Sequence, residues 1–429
     1  LVVVPNQWAL RPEPGFQIKP TSPEAYRLLL ADVTVFPEEP PGLEPVKLPG
    51  DLLWTWNVKN WEPDGSPFRP PLSGQHVAAH LRLREMRGFS NPDVNDTADR
   101  HVREGVLFRA YSDAGEDEAV FSGDPAWGQQ TRQVLYERFL AALGNPGDPT
   151  DPGRAVLPAL LFGDRAYLTD SQTDLFAKAS LSHSLALSGL HLSFMAGLGW
   201  MLARLLCRLF PGLMLRLPRT KWAVLCAAPL VLSYLWLGGL SPSLLRAALM
   251  FACWGVFVLL DRPHPLLDGL AAAVLMLFLA DPLIIFDLRL QLSALCVLAI
   301  GLTLPAVSQL SLRLVPRMNS NLIAKGRAKS RFQGALQARL RNLARGGLTL
   351  ICISAAIQLA LTPIQADVFN QATPWFVLNL LWLPVLSAWV FPWAVLGLAL
   401  CAVPGLSLPA SWALSLAAFP ATWLFSLLN

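Results

Sequence analysis

Charged residues are scarce in this 429-residue chain, and they stop altogether well before its end. Aspartate, glutamate, lysine and arginine make up 15% of the residues, against roughly a quarter in an ordinary soluble domain. No glutamate follows Glu137, and residues 368–429 contain neither a charged residue nor a histidine. These absences exclude a disordered chain, a coiled coil and a single soluble core. They predict a soluble N-terminal part followed by a polytopic α-helical membrane part.

Acidic and basic residues are divided unequally between the two parts. Residues 1–154 hold 15 basic and 22 acidic residues, a net charge of −7, whereas residues 155–429 hold 19 and 8, a net charge of +11. Because lysine and arginine drive non-specific binding to nucleic acid, the acidic part is a poor general clamp for a polyanion.

Cysteine is absent from the soluble part, and the six cysteines of the apolar part lie far apart in sequence. None forms the C-x-x-C spacing of a zinc site or a redox motif. We therefore expect neither a disulfide framework nor a metal site, and no cofactor is predicted. The cysteines are predicted to be free and to pack as small hydrophobic side chains.

Short β-prone runs separated by turns fill the first 125 residues, which predicts a small external β-rich domain of barrel or sandwich type. The runs cover residues 26–36, 52–58, 77–83 and 106–111. The region 126–180 is predicted to hold amphipathic helices and a linker, with one helix over 127–143. Residues 181–429 are predicted to form the membrane domain.

Long apolar segments in the membrane domain predict about eight membrane-crossing helices. They cover residues 183–203, 222–239, 243–260, 265–280, 284–305, 347–366, 374–400 and 406–428. The segment 374–400 contains three prolines, so it is expected to form two half-spans or a broken helix. Basic loops at 204–221, 262–264 and 311–346 fall on one side of the membrane, which places them in the cytoplasm and the β-rich domain outside.

Polar residues interrupt the first predicted membrane segment. Residues 179–193 read A-S-L-S-H-S-L-A-L-S-G-L-H-L-S and include His183, Ser188, Gly189 and His191. Because apolar side chains alone face lipid, these polar groups are expected to face other helices or a water-filled path. On a helix, the two histidines would lie about 80° apart and share one broad face. A Ser-rich packing seam, with each histidine bonded to a backbone carbonyl, is the alternative interpretation.

Other ionisable groups lie near the predicted ends of membrane segments. Arg246, near the outer end of the third segment, would attract phosphates without trapping them, as a conduction path requires. Asp281 is expected to cap a helix. Asp287 is expected to pair with Arg289 or to reach the interface beside it.

Five motifs in the membrane domain follow one another in a characteristic order. They are L-F-G-D-R at 161–165, S-H-S-L-A-L-S-G-L-H at 182–191, a segment around Arg246-Ala247 at 241–250, Q-L-S at 291–293 and N-L-L-W-L-P at 379–384. This order resembles the ComEC/Rec2 family, the membrane channels for DNA uptake in natural transformation. Two departures occur: Ser184 stands where the family has leucine, and Arg289 and Leu290 replace an expected glycine and phenylalanine.

The resemblance implies an inner-membrane or plasma-membrane channel that translocates single-stranded DNA into the cytoplasm. It implies a lipid bilayer environment, with a periplasmic DNA receptor and a cytoplasmic helicase-type motor as partners. The expected transport path is lined by His183, Ser188, Gly189, His191, Arg246, Gln291, Ser293 and Asn379.

A second, shorter resemblance concerns the soluble part. Residues 87–92 resemble a turn in the family's OB-like domain, and such domains bind single strands through basic faces and aromatic stacking. Arg82 and Arg84 share one face of a predicted strand, and together with Arg87 they are the predicted DNA contacts, unless they are simply a solvated face. Candidate stacking residues are Trp54, Trp56 and Trp61.

Two other classes of function stay open at this level. A secondary transporter for a small anionic solute would need inverted repeats and a midplane ion site. An intramembrane hydrolase would use Ser188 with His183 or His191. Many family members carry a metallo-β-lactamase-like nuclease domain, but its H-x-H-x-D-H pattern does not occur in this sequence, so the chain is predicted not to be an enzyme.

Overall fold

A computed structural model describes most of the chain. The described residues are 9–10, 19–22, 25–36, 44–57, 72–87, 101–102, 105–111, 120–179, 181–239, 241–262, 265–314, 328–369 and 376–428.

Ten short strands occupy the described residues before position 123, which confirms the predicted β-rich N-terminal region. They are β1 (Ala9–Leu10), β2 (Lys19–Ser22), β3 (Ala25–Ala31), β4 (Thr34–Val35), β5 (Val46–Lys47), β6 (Asp51–Asn57), β7 (His76–Ala78), β8 (Arg82–Glu85), β9 (Val106–Tyr111) and β10 (Val120–Ser122).

The main sheet has the strand order β1-β3-β6-β9-β8, with β2 also paired to β3. Strands β6 and β9 run parallel, and the other pairs on this path are antiparallel. The last strand of the path in sequence, β9, therefore lies inside the sheet between β6 and β8. This non-sequential order agrees with the Greek-key arrangement of a partly open OB-like barrel.

The core of the β-rich region includes two tryptophans that the sequence offered for DNA stacking. Trp54 and Trp56 are at most 1% exposed, and their rings stack on each other with centroids 5.2 Å apart. Alternate residues of a strand point to the same face, and here that face is the inward one of β6. The prediction that these two rings are available to bases is therefore wrong, and Trp61 lies outside the described residues.

Helices make up the rest of the described chain. They are α1 (Gln129–Leu143), α2 (Val156–Phe162), α3 (Asp170–Lys178), α4 (Gly189–Leu209), α5 (Leu213–Arg216), α6 (Arg219–Leu237), α7 (Pro242–Leu259), α8 (Pro265–Ala280), α9 (Leu288–Leu314), α10 (Ala328–Phe369), α11 (Phe376–Val385), α12 (Phe391–Cys401) and α13 (Ser407–Leu428), with 3-10 turns at Pro152–Ala155, Ser182–Ser184 and Pro282–Phe286.

Seven of the described helical segments are long and apolar enough to cross a membrane, which confirms a polytopic helical membrane protein. They are α4, α6, α7, α9, residues 344–364 of α10, residues 381–401 of α11–α12, and α13. Helix α8 is shorter, with 16 residues. The first span begins at Gly189, six residues later than predicted, because the Ser182–Ser184 turn and an extended Ser188 precede it.

The proline-rich segment 374–400 is continuous where the structure describes it, from position 376 onwards. A π-helical turn over Leu386–Val390 joins α11 to α12, and the Phe391 N–H donates to the Leu386 carbonyl. Pro392 follows at once and has no N–H to donate, so the wider turn absorbs the mismatch without breaking the run. The predicted division into two half-spans is therefore wrong.

Small residues let the membrane helices approach closely. A side chain at Gly199 of α4 would meet the Ala227 backbone of α6 at 2.3 Å, and one at Gly269 of α8 would meet the Trp254 backbone of α7 at 2.7 Å. Small residues at such contacts are typical of helix packing in membranes, where van der Waals contact replaces the hydrophobic effect. All six cysteines are free, as predicted.

Candidate functional site

The N-terminus of α4 carries the polar residues of the predicted transport path. Ser188 is the N-cap, and its backbone N–H donates to Nδ1 of His191 at 3.3 Å. The imidazole stacks on Phe391 of α12, with centroids 5.2 Å apart and planes 16° apart. His191 takes the position from which a capping-box side chain reaches back to the N-cap.

The two histidines do not share one helical face. His183 lies in the Ser182–Ser184 turn and is exposed, whereas His191 lies in the first turn of α4 and is 2% exposed. The 80° separation expected on a single helix is therefore wrong, because the chain between them is not helical. His183 lies at the surface before α4, and His191 is packed behind Ser188.

The backbone bend at Ser188-Gly189, which we call the Ser188-Gly189 corner, packs against helix α7. The Ser243 hydroxyl donates to the Leu187 carbonyl at 2.8 Å, and a side chain at Gly189 would meet Cβ of Ala247 at 3.4 Å. A larger side chain at Gly189 would push the two helices apart. The corner is thus fixed against the same turn of α7 that carries Arg246.

Arg246 is the most deeply buried cation among the described residues of the membrane domain. Its residue is 5% exposed, its Nη1 lies 3.9 Å from Oδ2 of Asp287, and its Nε has no hydrogen-bond partner among the described residues. The Ser241 hydroxyl, also on the approach to α7, is buried without one as well. Arg246 and Ser241 are thus two buried polar groups of this helix end that apolar packing does not satisfy.

Asp287 was expected to pair with Arg289, and the structure directs its carboxylate elsewhere. Oδ1 accepts from the backbone N–H of Arg289 at 2.9 Å, while Oδ2 faces Arg246 from the neighbouring helix. Asp281 caps the following 3-10 turn by accepting from the Leu283 N–H at 3.0 Å, as predicted. Residues 246 and 287 are 41 positions apart, so no local pattern signals their pairing.

The remaining predicted path residues lie around the start of α9 and on α11. The Gln291 amide donates to the Ile285 carbonyl at 2.8 Å and so fixes the turn that precedes α9. The Ser293 hydroxyl bonds back to the Arg289 carbonyl of its own helix at 2.7 Å. Asn379 belongs to α11, and its side chain lies outside the described set.

The L-F-G-D-R motif ties the amphipathic helix α1 to the membrane helices. The Tyr136 hydroxyl donates to the Asp164 carboxylate, which also accepts from the Ala166 N–H at 2.9 Å. One turn earlier on α1, Nε of Arg132 donates to the Leu237 carbonyl at the end of α6, at 2.8 Å. Burial raises the pKa of Asp164, against the opposing effects of these hydrogen bonds and of Arg132.

The same motif also holds the chain before α4. Nε of Arg165 donates to the Leu185 carbonyl at 3.3 Å. Ser184, which departs from the family pattern, donates to the Leu181 carbonyl at 2.7 Å and accepts from the Trp382 indole at 3.2 Å. The sequence analysis did not single out Arg132 and Tyr136. Their spacing of four residues, which places them on one face of the predicted helix, is the signal that could have identified them.

The arginines of β8 lie on an exposed sheet face. Arg82 and Arg84 are exposed, and their cross-strand neighbours on β9 are Tyr111 and Arg109. The Arg109 guanidinium lies 5.9 Å from the centre of the Tyr111 ring. Arg87, by contrast, forms a salt bridge with Glu85 at 3.1 Å. The sequence interpretation missed Arg109 and Tyr111, although both alternate outward on a predicted strand.

In the part of the chain that the structure describes, no group of three or more histidine, cysteine, aspartate or glutamate residues is arranged to bind a metal ion.

Similar proteins cover the membrane domain. The Competence protein family matches residues 160–429. The uncharacterized protein YcaI of Escherichia coli is 30% identical over 39% of this chain and 22% of its own length. ComE operon protein 3 of Bacillus subtilis is 32% identical over 32% of this chain and 16% of its own length.

Recombination protein 2 of Haemophilus influenzae is 31% identical over 26% of this chain and 14% of its own length. The matches thus cover less than a quarter of each of these curated relatives. No solved structure matches the chain. Because the family match extends over most of its length and its relatives include ComE operon protein 3 and Recombination protein 2, this multi-pass membrane protein belongs to the ComEC/Rec2 family of competence proteins.

Proposed function

We propose that this chain is an inner-membrane channel that conducts single-stranded DNA into the cytoplasm during natural transformation. The observation that carries the proposal is Arg246: a guanidinium buried near the end of a membrane helix, with a buried Nε that no described residue bonds. Its nearest carboxylate oxygen, on Asp287, is 3.9 Å away, which is beyond hydrogen-bond distance.

A buried cation without full compensation is costly, and its retention in a membrane helix indicates a functional role. A phosphate passing this point would accept from the Arg246 guanidinium, while the Asp287 carboxylate would limit how tightly the phosphate is held. Conduction requires this balance, since a cargo must enter the site and also leave it. The side chains of Arg246 and Asp287 therefore suit a polyanion in transit.

The proposed path starts at the Arg246–Asp287 pair. Ser188 and Gly189 lie at the start of α4, where Gly189 approaches Ala247 of α7. Gln291 lies in the first turn of α9, and His183 lies at the surface before α4. Ser293 and Asn379 remain proposed members further along their helices. His191 is proposed to act chiefly by positioning Ser188, because its Nδ1 is engaged by the Ser188 N–H. A periplasmic DNA receptor and a cytoplasmic helicase-type motor remain the proposed partners.

The decisive functional experiment follows labelled transforming DNA in a strain lacking the gene and in the same strain carrying it. We expect DNase-resistant labelled DNA in the cytoplasm only where the protein is present. Restored flux of a small anion without DNA entry would instead support a secondary transporter.

One observation bears on the hydrolase alternative. The Ser188 hydroxyl lies 3.3 Å from Nδ1 of His191, as a serine nucleophile lies near its base. Nε2 of that histidine, however, has no hydrogen-bond partner among the described residues. A catalytic serine needs a third group to orient its base, so the contact fits a helix cap better than an active site.

The exposed face of β8 and β9 predicts a DNA contact outside the membrane. Replacing both Arg82 and Arg84 with glutamine should weaken binding of a fluorescent oligothymidylate to the detergent-solubilised protein. If each arginine contacts one phosphate, the slope of log affinity against log salt should fall by about 1.4, or about 0.7 per phosphate on a single strand. Arg87→Gln tests the third predicted contact separately, since Arg87 forms an exposed salt bridge with Glu85. An unchanged slope in the double variant would leave these arginines as a solvated surface.

The basic loops predict the orientation of the chain. A membrane-impermeant maleimide added to intact cells should label Ser112→Cys in the β-rich domain and spare Ser330→Cys in the basic region 311–346. The positive-inside rule is the physical reason, since all three basic clusters fall on one side when α8 crosses as one of the eight predicted spans. Labelling of Ser330→Cys alone would reverse the orientation.

A further inference from the structure

We propose that the terminal hairpin, residues 376–428 comprising α11, the π turn, α12 and α13, lies along one membrane surface instead of crossing the bilayer twice. Its exposed apolar stripe would then be seated in the headgroup and acyl boundary of the leaflet on the side of α1. This inference concerns a lipid-binding surface and does not depend on whether the chain conducts DNA.

Three contacts join the hairpin to residues 138–184, which run from α1 to the turn before α4. The Trp382 indole donates to Ser184 near the start of the hairpin, and Arg138 donates to the Ala402 carbonyl at its turn, at 3.5 Å. Near its end, the Thr422 hydroxyl donates to the Asp151 carboxylate. The contacts are spread over the whole hairpin, yet their partners all come from one continuous segment outside the candidate spans.

The spacing of these contacts is incompatible with two crossings. Trp382 and Ala402 are twenty residues apart, about 30 Å along a helix, which is the thickness of the hydrocarbon core. A crossing would put their partners, Ser184 and Arg138, on opposite sides of the membrane. The segment between those partners includes the charged and proline-rich run 144–154, and its irregular backbone cannot lie in lipid.

The position of Thr422 on α13 also indicates that this helix does not cross the bilayer. It lies about 7 Å from the midpoint of Ser407–Leu428 along the helix axis. If α13 crossed the bilayer, Asp151 and the backbone N–H of Gly153, which donates to Thr422 at 3.2 Å, would lie near the bilayer centre. An interfacial α13 leaves both groups beside water.

The middle of the hairpin also contacts the ends of two spans. The Phe391 ring packs against His191, in the first turn of α4, and against Tyr234, in the last turn of α6. These two helix ends face the same side, since α4 and α6 are consecutive spans that run in opposite directions. The beginning, middle, turn and end of the hairpin therefore all lie at one level.

Helix α13 has one face that the protein covers and one that it leaves exposed. One stripe is exposed and apolar, whereas the opposite face is buried against the protein. The stripe consists of Leu408, Trp412, Leu416, Phe419, Trp423 and Leu427. In a crossing helix Trp412 and Trp423 would each lie about 8 Å from the bilayer midplane, inside the hydrocarbon, whereas tryptophan favours the interface.

The turn 402–406 lacks the charges of the cytoplasmic loops. It reads A-V-P-G-L, while the other loops on the proposed cytoplasmic side carry arginine or lysine. Nothing in the turn therefore retains it in the cytoplasm. A lipid surface suits the stripe better than a second copy of the chain, because the stripe is mainly apolar and includes two tryptophans, which favour the membrane interface.

Cysteine labelling tests which side the turn faces. In a variant whose native cysteines are replaced by alanine, Val403→Cys should react with an impermeant maleimide under the same conditions as Asp148→Cys in the run 144–154. The control Leu215→Cys, in the loop between α4 and α6, should react only from the other side. Reaction of Val403→Cys together with Leu215→Cys would overturn the proposal.

Depth measurement tests the orientation of α13 in vesicles of phosphatidylethanolamine and phosphatidylglycerol. Nitroxide labels at Leu408→Cys and Phe419→Cys should report the same shallow depth, although they are about 16 Å apart along the helix. The matched pair on the crossing helix α9, Leu302→Cys and Leu314→Cys, should report one deep and one shallow position. A deep label at position 419 would contradict the proposal. Labels that lipid-soluble oxygen does not reach, and whose spectra are broadened by spin coupling to a second copy of the chain, would also contradict it.

Discussion

Replacing Arg246 with glutamine should lower the entry of labelled DNA by about tenfold to a hundredfold. A hydrogen bond to a charged group contributes about 1.5–3 kcal/mol, and each 1.4 kcal/mol corresponds to a factor of ten. Arg246 is the buried cation nearest the Ser188-Gly189 corner, and its Nε has no partner among the described residues. The loss should appear in the rate of DNA entry at equal membrane abundance of the protein.

A matched control separates this effect from the loss of any arginine. Arg262 follows the other end of the same helix and is exposed, so Arg262→Gln should leave DNA entry within about twofold of the parent, as surface substitutions generally change little. Arg246→Lys should restore part of the entry, since it keeps the charge but loses the planar guanidinium.

A double variant distinguishes phosphate contact from a purely structural ion pair. Removing Arg246 alone leaves Asp287 without its partner, which destabilises a buried pair. Arg246→Gln combined with Asp287→Asn removes both charges and should recover normal insertion. DNA entry should nevertheless stay low if Arg246 contacts the cargo. Recovery of entry together with insertion would make the pair a packing feature and contradict the proposed role.

The sequence predicted the membrane architecture better than its polar sites, for a physical reason. A lipid environment requires long apolar helices with satisfied backbone groups, so hydropathy alone locates them. The start of α4 was placed too early because the hydropathy of the whole window stays high across residues 183–188, while the Ser188-His191 interaction makes the helix begin at Gly189. Local hydrogen bonding of that kind competes with helix formation without changing hydropathy.

Pairings between distant residues were beyond a single sequence. Asp287 has Arg289 as its nearest basic neighbour in sequence, but the fold brings Arg246 of α7 to its other oxygen. Trp54 and Trp56 were located on a strand correctly, yet the sheet topology, which buries their face, required β9 to insert beside β6. Spacing identifies which residues share a face and leaves open what covers that face.

Replacing His191 with leucine should abolish DNA entry while the protein still inserts. Leucine is close in size and would keep the contact with Phe391, but it removes the acceptor for the Ser188 N–H. Loss of a helix N-terminal cap costs about 0.5–2 kcal/mol, enough to displace Ser188 and Gly189 from α7. Transformation frequency at equal membrane abundance is the measurement. Full transformation by the leucine variant would mean that the polar residues 183–191 serve only in helix packing.

Two further variants separate the roles of the two ring nitrogens. Because Nδ1 accepts a hydrogen bond from the Ser188 N–H, the proton of neutral His191 resides on Nε2. This Nε2 is buried and has no hydrogen-bond partner among the described residues. Asparagine can place an acceptor near the position of Nδ1, and glutamine a donor near that of Nε2. If His191 acts by positioning Ser188, His191→Asn should recover most of the entry and His191→Gln little. Recovery by glutamine instead would mean that Nε2 contacts the cargo directly, because only that variant keeps a donor at the far edge of the ring.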